Sequence, residues 1–349
     1  MADCAGTALF SAISAADWKN RYNTKQEQSM KDNFGREINY LRISVTDRCN
    51  LRCRYCMPES GFQNIIPKEQ ILSFEEIVRL AQAAAKMGIS KVRLTGGEPL
   101  VRHGIVDLIA KIHAIDGIDE IGITTNGILL ADMAEDLKEA GVNRVNISID
   151  TMNPDKFAKI TRGGDLNRVL AGIEAAKRVG LTPVKLNVVA LGGFNDDEFA
   201  DFIELTRKEP YVVRFIELMP IGHAEVGDSY GFVSNQEILD RFPELIPADD
   251  EKFSVSKNYR LPDGKGKVGL ISALSNHFCA SCNKIRLTSD GKIKPCLHSN
   301  EEIDMKGPLR LSDEELLDAL RASVGHKVEH HMLNEGAAPI ERDMNKIGG

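Results

Sequence analysis

The sequence predicts an α/β fold: a partial (βα)6 version of the eight-unit parallel barrel, followed by a smaller C-terminal domain. Three observations carry that prediction. Six strand-like runs, at 40–45, 91–95, 120–124, 144–149, 184–191 and 212–218, alternate with helical patterns. Those helical patterns have recognisable ends. Beyond about Ile221 the alternation stops, and Pro, Gly and a hairpin signal take over. Six β-then-α units in a row imply a parallel sheet with helices outside and ligands at the C-terminal strand ends.

The first run leads into a group of cysteines. After it, Ser73 and Glu76 form a capping box, Ile77, Leu80, Ala81 and Ala84 make an apolar stripe, and Gly88 closes the helix. Segments 132–141 and 165–180 read the same way. In the C-terminal part, 284–294 reads as a hairpin turned by Asp290-Gly291, which would bring Cys296 back towards Cys282. The expected division is 1–36 as a loosely ordered extension, 37–220 as the barrel and 221–349 as the C-terminal domain.

Composition narrows the function classes. The 349 residues are enough for one large domain or two. A net charge of −7 gives no global basic field for nucleic acid or anionic membrane. No run of 18 apolar residues suggests a membrane span. Seven cysteines, six of them in two tight groups, fit metal binding in a reducing, cytoplasmic compartment better than a secreted disulfide framework. Cys4 is read as a spare thiol, and an organelle-targeting remnant in the N-terminal extension stays open.

Cys49, Cys53 and Cys56 form a C-x3-C-x2-C triad, and Cys279, Cys282 and Cys296 repeat the three-ligand count. Three thiolates hold three corners of a cluster and leave a fourth open; structural zinc wants four ligands. A distant fourth ligand such as His103 keeps zinc as the alternative. Four of the six strand runs also carry a cation between apolar neighbours, at Arg42, Arg93, Lys185 and Arg214. Interior cations are costly, so they pair with carboxylates such as Glu217, reach water at strand ends, or face a cavity that holds an anion.

The first triad, with Tyr55 before its last cysteine and Gly96-Gly97-Glu98-Pro99 after the second strand, closely resembles the radical S-adenosylmethionine (SAM) enzymes. That resemblance implies a TIM-like radical SAM barrel with a C-terminal iron–sulfur domain. In it, Cys49, Cys53 and Cys56 are the catalytic ligands of a [4Fe-4S] cluster that binds SAM. The second triad, set as Phe278-Cys279-Ala-Ser-Cys282-Asn-Lys284-Ile285-Arg286 and then Pro295-Cys296-Leu297, is similar to the molybdenum cofactor branch of that family. This implies a second [4Fe-4S] cluster on Cys279, Cys282 and Cys296, and a lyase that cyclises GTP in the first step of molybdopterin synthesis. It covers roughly residue 37 onward, including a double-glycine end at Gly348-Gly349. By the same resemblance, Arg42, Arg93, Thr124, Lys185, Lys284, Ile285 and Arg286 match GTP-contacting positions. Tyr55, Gly97, Ser148 and Met219 match SAM-contacting positions. The implied partners are GTP, SAM, an electron donor and the next enzyme of the molybdopterin pathway, with a homodimer as the candidate assembly. The rival readings are a peptide-modifying radical SAM maturase with an auxiliary cluster, and a non-enzymatic iron–sulfur electron carrier.

Overall fold

The computed structural model describes residues 30–58, 65–222, 230–250, 252–333 and 340–348. All six expected strands form: β1 Tyr40–Ser44, β2 Lys91–Thr95, β3 Glu120–Thr125, β4 Arg144–Ser148, β5 Lys185–Gly192 and β6 Val212–Glu217. They pair in chain order, and every pairing is parallel. Each strand alternates strictly. Leu41, Ile43, Val92, Leu94, Ile123 and Val145 turn to the helices and are fully buried in one apolar core. Arg42, Arg93, Asn146, Asn187 and Arg214 occupy the intervening positions on the inner face. The period of two thus separates an apolar outer face from a polar inner one.

Helix ends follow local chemistry. The capping box at Ser73 and Glu76 is present on the helix Phe74–Lys86. The Asp165 side chain accepts from Asn167 N at the start of Leu166–Arg178. The intervening helix runs Leu130–Glu139 and so starts ahead of Asp132. There Asn126 Oδ1 accepts from Ile128 N, so an Asx turn reverses the chain before Asp132 is reached. Phe215 packs edge-on against Phe199 and Phe202 at the β6 side of the core.

The C-terminal part is not a separate cap. Its strands are β7 Gly231–Phe232, β8 Ile246–Pro247, β9 Lys257–Arg260, β10 Lys267–Ile271, β11 Lys284–Leu287, β12 Lys292–Lys294 and β13 Ile303–Asp304. β10 joins the free edge of β6 and β11 joins the free edge of β1, both in parallel. One sheet therefore runs β13-β12-β11-β1-β2-β3-β4-β5-β6-β10-β9-β8, with β7 paired to β5. The barrel stays open, and both edges of the six-strand core are satisfied by the same C-terminal segment. The expected hairpin is β11–β12 with Gly291 at φ +84°.

Within the expected 1–36 extension, residues 30–36 are described. Residues 30–37 are folded on themselves by a Lys31–Glu37 bridge and the buried Arg36–Asp32 ion pair, and are docked where Arg36 donates to Cys279 O, Val328 O and Glu329 O. Residues 1–29, with Cys4, lie outside the described residues. Among the described residues no helix is long and apolar enough to cross a membrane.

Arg79 ties the first helix to the C-terminal part, donating to Leu309 O, to Leu311 O at 2.7 Å and to Asp313 Oδ1. Arg79→Ala should lower stability by about 1–2 kcal/mol, because the Leu309 and Leu311 carbonyls lose a charged donor. The check is the denaturant midpoint at unchanged slope.

Candidate active site

The first triad sits on the loop that leaves β1 at its C-terminal end. Cys49 Sγ accepts from Leu51 N at 3.4 Å and from Asn126 Nδ2 at 3.6 Å, contacts that suit a thiolate. Burial pushes the Cys49 thiol up to about 11 and, with Cys49 and Asp343 adding, the Cys56 thiol up to about 12. Burial also raises Cys53, with Cys56 and Asp150 adding. Such thiols keep their protons until a metal replaces them. All six described cysteines are free thiols. Among the described residues no three Cys, His, Asp or Glu groups converge tightly enough for one ion.

The Gly-Gly-Glu-Pro turn after β2 is packed on that loop. A Cβ at Gly97 would overlap the Arg48 carbonyl oxygen, and one at Gly96 the Thr46 carbonyl oxygen. Gly97 N donates to Thr46 O at 2.7 Å and Glu98 N to Arg48 O at 2.8 Å. The first neighbour that demands these glycines is therefore the cysteine loop itself. Glu98, buried, accepts from Leu100 N, Thr125 Oγ1 and Asn126 N. Burial lifts its carboxyl to about 7 against those three donors. Asn126 in turn touches Cys49, so the end of β3 supports the triad through Glu98.

Tyr55 and Ser148 lie at the same end of the sheet. The Tyr55 hydroxyl donates to Asp150 Oδ2 at 2.7 Å, and Asp150 Oδ1 accepts from Val189 N. Ser148 is in register with Asn187 on the inner face. Met219 follows β6 and packs with Ile221, Ile340 and Ile347, and its sulfur is 3.0 Å from His298 Nε2.

The strand cations meet in one interior cavity. Its lining includes Tyr40, Arg42, Arg93, Asn146, Lys185, Arg214 and Lys284. Arg286, Arg42 and Arg93 stand side by side on β11, β1 and β2 in register. Arg93 donates to Tyr40 Oη and to Ile123 O at 3.2 Å, and a Cβ at Gly122 would come within 2.7 Å of its guanidinium. Burial and then Arg286 drag Arg42 down to about 9. Burial, with Arg42 and Arg286 adding to it, drags Lys284 down to about 8 against Cys282 and Tyr40. Tyr40 falls to about 8 although burial opposes it, because Arg93 and Arg42 favour the phenolate. Arg286 Nε and Thr124 Oγ1 are buried without a hydrogen-bond partner among the described residues. Glu217 is not the counter-charge. It faces the other side of β6 and accepts from Asn235 N, Leu274 N, Ser275 N and Ser275 Oγ.

Tyr40, Lys91, Arg144 and Lys185 open β1, β2, β4 and β5, so the cavity reaches the N-terminal strand ends rather than stopping at the C-terminal ones. The second triad lies at that far end. Cys279 and Cys282 precede β11, and Cys296 follows β12 beside them, where Lys327 Nζ bridges Lys284 O and Pro295 O at 2.9 Å each. Burial alone would raise Cys282, but Lys327, Lys284 and Arg286 hold its thiol below the usual value. The cations thus lie between two three-cysteine sets at opposite ends of the β1–β11 pair.

Gly348, next to the last residue of the sequence, reaches the C-terminal ends of β1 and β2, from which the first-triad loop leaves. Arg342 is clamped by Asp290 at 2.9 Å and by Glu302 at 2.6 Å, and Asn345 Nδ2 donates to Asp47 O at 2.9 Å. Gly348, at φ +80°, lies where a Cβ would be 2.7 Å from Thr95 Cγ2. Gly349 lies outside the described residues.

Ile285 is fully buried in the apolar core, opposite Leu41, because alternation turns it away from Lys284 and Arg286. Residues the sequence reading passed over include Tyr40 and Asn146, each two positions from an expected site residue and so on the same face. Asn126, Asp150 and Lys327 carried no sequence signal, since their roles are contacts between distant segments, and Glu98 entered only as part of the Gly-Gly-Glu-Pro run.

The radical SAM superfamily profile matches residues 43–206, and the Molybdenum Cofactor Synthesis C profile matches 211–333. A GTP 3′,8-cyclase of Alkaliphilus oremlandii is 56% identical over 321 residues, spanning 92% of this chain and all of the relative. The chain belongs to the GTP 3′,8-cyclase family of radical SAM enzymes. A GTP 3′,8-cyclase of Moorella thermoacetica is 51% identical over 327 residues, again 92% of this chain and 100% of that one. The solved structure of Streptococcus suis SuiB bound to S-adenosylmethionine shares the fold, with TM-score 0.59 and 13% identity over 89% of this chain and 72% of its own. Membership of the radical SAM family implies one [4Fe-4S] cluster and SAM, and the first triad has the donor set for both.

Gly97→Ala should weaken SAM binding at least tenfold, about 1.4 kcal/mol, because the Cβ displaces the loop that carries Cys49. Equilibrium binding of SAM to the reconstituted variant is the measurement; unchanged affinity would mean the loop yields freely.

Proposed function

We propose that this chain converts GTP to (8S)-3′,8-cyclo-7,8-dihydroguanosine 5′-triphosphate, the first step of molybdenum cofactor biosynthesis, with two [4Fe-4S] clusters and SAM. The carrying observation is the cation-lined cavity between two three-cysteine sets in a chain of this family. It also favours this reading over a peptide-modifying maturase or an electron carrier, neither of which needs a polycationic interior. The setting is cytoplasmic, where thiols stay reduced. An external electron donor and the next enzyme of the pathway are the protein partners it calls for.

When bound at the first triad, the cluster and SAM supply a 5′-deoxyadenosyl radical; the chain supplies position, charge and dryness. Residues 37–220 hold SAM through Tyr55, Gly97, Ser148 and Met219 near Cys49, Cys53 and Cys56. Arg42, Arg93, Lys185, Lys284 and Arg286 neutralise a triphosphate with charge-assisted hydrogen bonds, and Thr124 adds a hydroxyl. Residues 221–349 supply Cys279, Cys282 and Cys296 for the second cluster, beside Lys284 and Arg286, where the base would be oriented. Holding the ribose in a near-attack pose is the chain's main contribution to rate.

Alanine at Arg42, Arg93 or Lys185 should each weaken GTP binding by about 1.5–3 kcal/mol. Guanosine should bind the variants as it binds the native chain, and equal GTP affinity in all three would reverse the phosphate assignment. The decisive experiment is anaerobic incubation with SAM, reductant and GTP, followed by mass analysis of the nucleotide. The native chain should yield the cyclised product, and Cys53→Ser should make neither product nor 5′-deoxyadenosine. Cys296→Ser should still release some 5′-deoxyadenosine without cyclised nucleotide; normal cyclisation by that folded variant would overturn the substrate-orienting role.

A further inference from the structure

Lys327 lies two residues beyond the helix Asp313–Gly325 and is only 4% exposed. A buried ammonium needs all three donors met and its charge answered. Its three contacts are Lys284 O at 2.9 Å, Pro295 O at 2.9 Å and Cys282 Sγ at 3.9 Å. All three belong to the second triad's surroundings: Cys282 itself, the strand two residues after it, and the residue before Cys296. Among the described residues no carboxylate lies within ion-pair distance of Lys327, so nothing there answers its charge. The segment that carries it is fixed from the other side, where Arg36 donates to Cys279 O, Val328 O and Glu329 O. The position is built and specific, and protein carboxylates leave it electrostatically incomplete.

We propose that Lys327 is the counter-charge of the second cluster, a positioning residue that joins the Cys282 and Cys296 arms and sets the reduction potential of the group they hold. A four-iron cluster on three thiolates carries net negative charge, which increases by one on reduction. A fixed ammonium beside a ligand sulfur stabilises the reduced form and raises the potential. Lys284 and Arg286 also lie near Cys282, but Lys284 lines the cation cavity and Arg286 stands in register beside Arg42, so their charge is shared with whatever anion enters. Lys327 hydrogen-bonds only the cluster-bearing backbone and sulfur, so its contribution persists with or without substrate.

This proposal rests on the two-cluster reading above, so iron and sulfide in the native full-length chain are measured first. About eight of each support that reading; about four would sink the second cluster itself and with it any role for Lys327 there. The probes are then Lys327→Gln, which keeps two donors without the charge, and Lys327→Met, which keeps neither. Redox titration followed by electron paramagnetic resonance separates the clusters, since only the first should respond to added SAM. Lys327→Gln should shift the SAM-insensitive signal to lower potential by a tenfold change in its reduction equilibrium, about 59 mV for one electron. The SAM-sensitive signal should not move. Loss of about four iron from either variant, with melting temperature and SAM cleavage kept, supports the counter-charge role equally. Full iron content in both variants with the native potential would overturn it.

Discussion

Neighbouring strands stand about 4.8 Å apart, and β11, β1 and β2 present Arg286, Arg42 and Arg93 to one another at that spacing. At an effective dielectric near 20, two unit charges about 5 Å apart repel by about 3 kcal/mol. The sheet therefore holds its inner face in a state of charge conflict, which adds to burial in lowering the affinity of Arg42 and Lys284 for their protons. Everything else in the fold serves to hold that conflict in place. The outer apolar face supplies the burial that stabilises the sheet, Gly122 makes room for the Arg93 guanidinium, and Tyr40 gives that guanidinium a neutral acceptor. A polyanion relieves the repulsion on entry, so the interior selects for charge before it selects for shape.

The two cysteine sets are placed by the same strands. The first follows the C-terminal end of β1, and the second brackets the N-terminal end of β11, its parallel neighbour. Five residues of parallel strand rise about 16 Å, so the separation of the two sets is close to one strand length. The strand cations lie along that separation. Neither set belongs to a free-standing unit: the segment that carries the second one also completes both edges of the sheet.

Much of this was legible in the sequence because it is local. Strand positions, capping boxes, the β11–β12 hairpin and the cysteine spacings are written within a few residues of each other. Arg42, Arg93 and Lys185 betrayed the cavity because a cation inside an apolar run has few inexpensive explanations. What escaped required knowing which segments meet. Glu217 stayed open as one possible partner for the strand cations, yet it satisfies loop amides at Leu274 and Ser275. Ile285 was carried along by its motif, whereas alternation sends it into the core. Lys327 follows an ordinary helix end, and only the fold brings it to Cys282.

The chain between Ile340 and Gly348 shows how the two ends of the cavity are held in a fixed relation. It starts beside β6, where Gly222 N donates to Ile340 O at 2.9 Å. It is then gripped by the second-triad hairpin, where Arg342 draws Asp290 and Glu302 below their usual carboxylate range although burial opposes this. Three residues on, Asn345 bonds the backbone of the first-triad loop at Asp47. A segment anchored at both ends has little freedom left, and its path takes Gly348 between Ser44 and Thr95 at a positive φ with no room for a side chain. The conformation and the close approach each favour glycine there. Both arise because one short strap has to reach from the hairpin of the second cysteine set to the loop of the first.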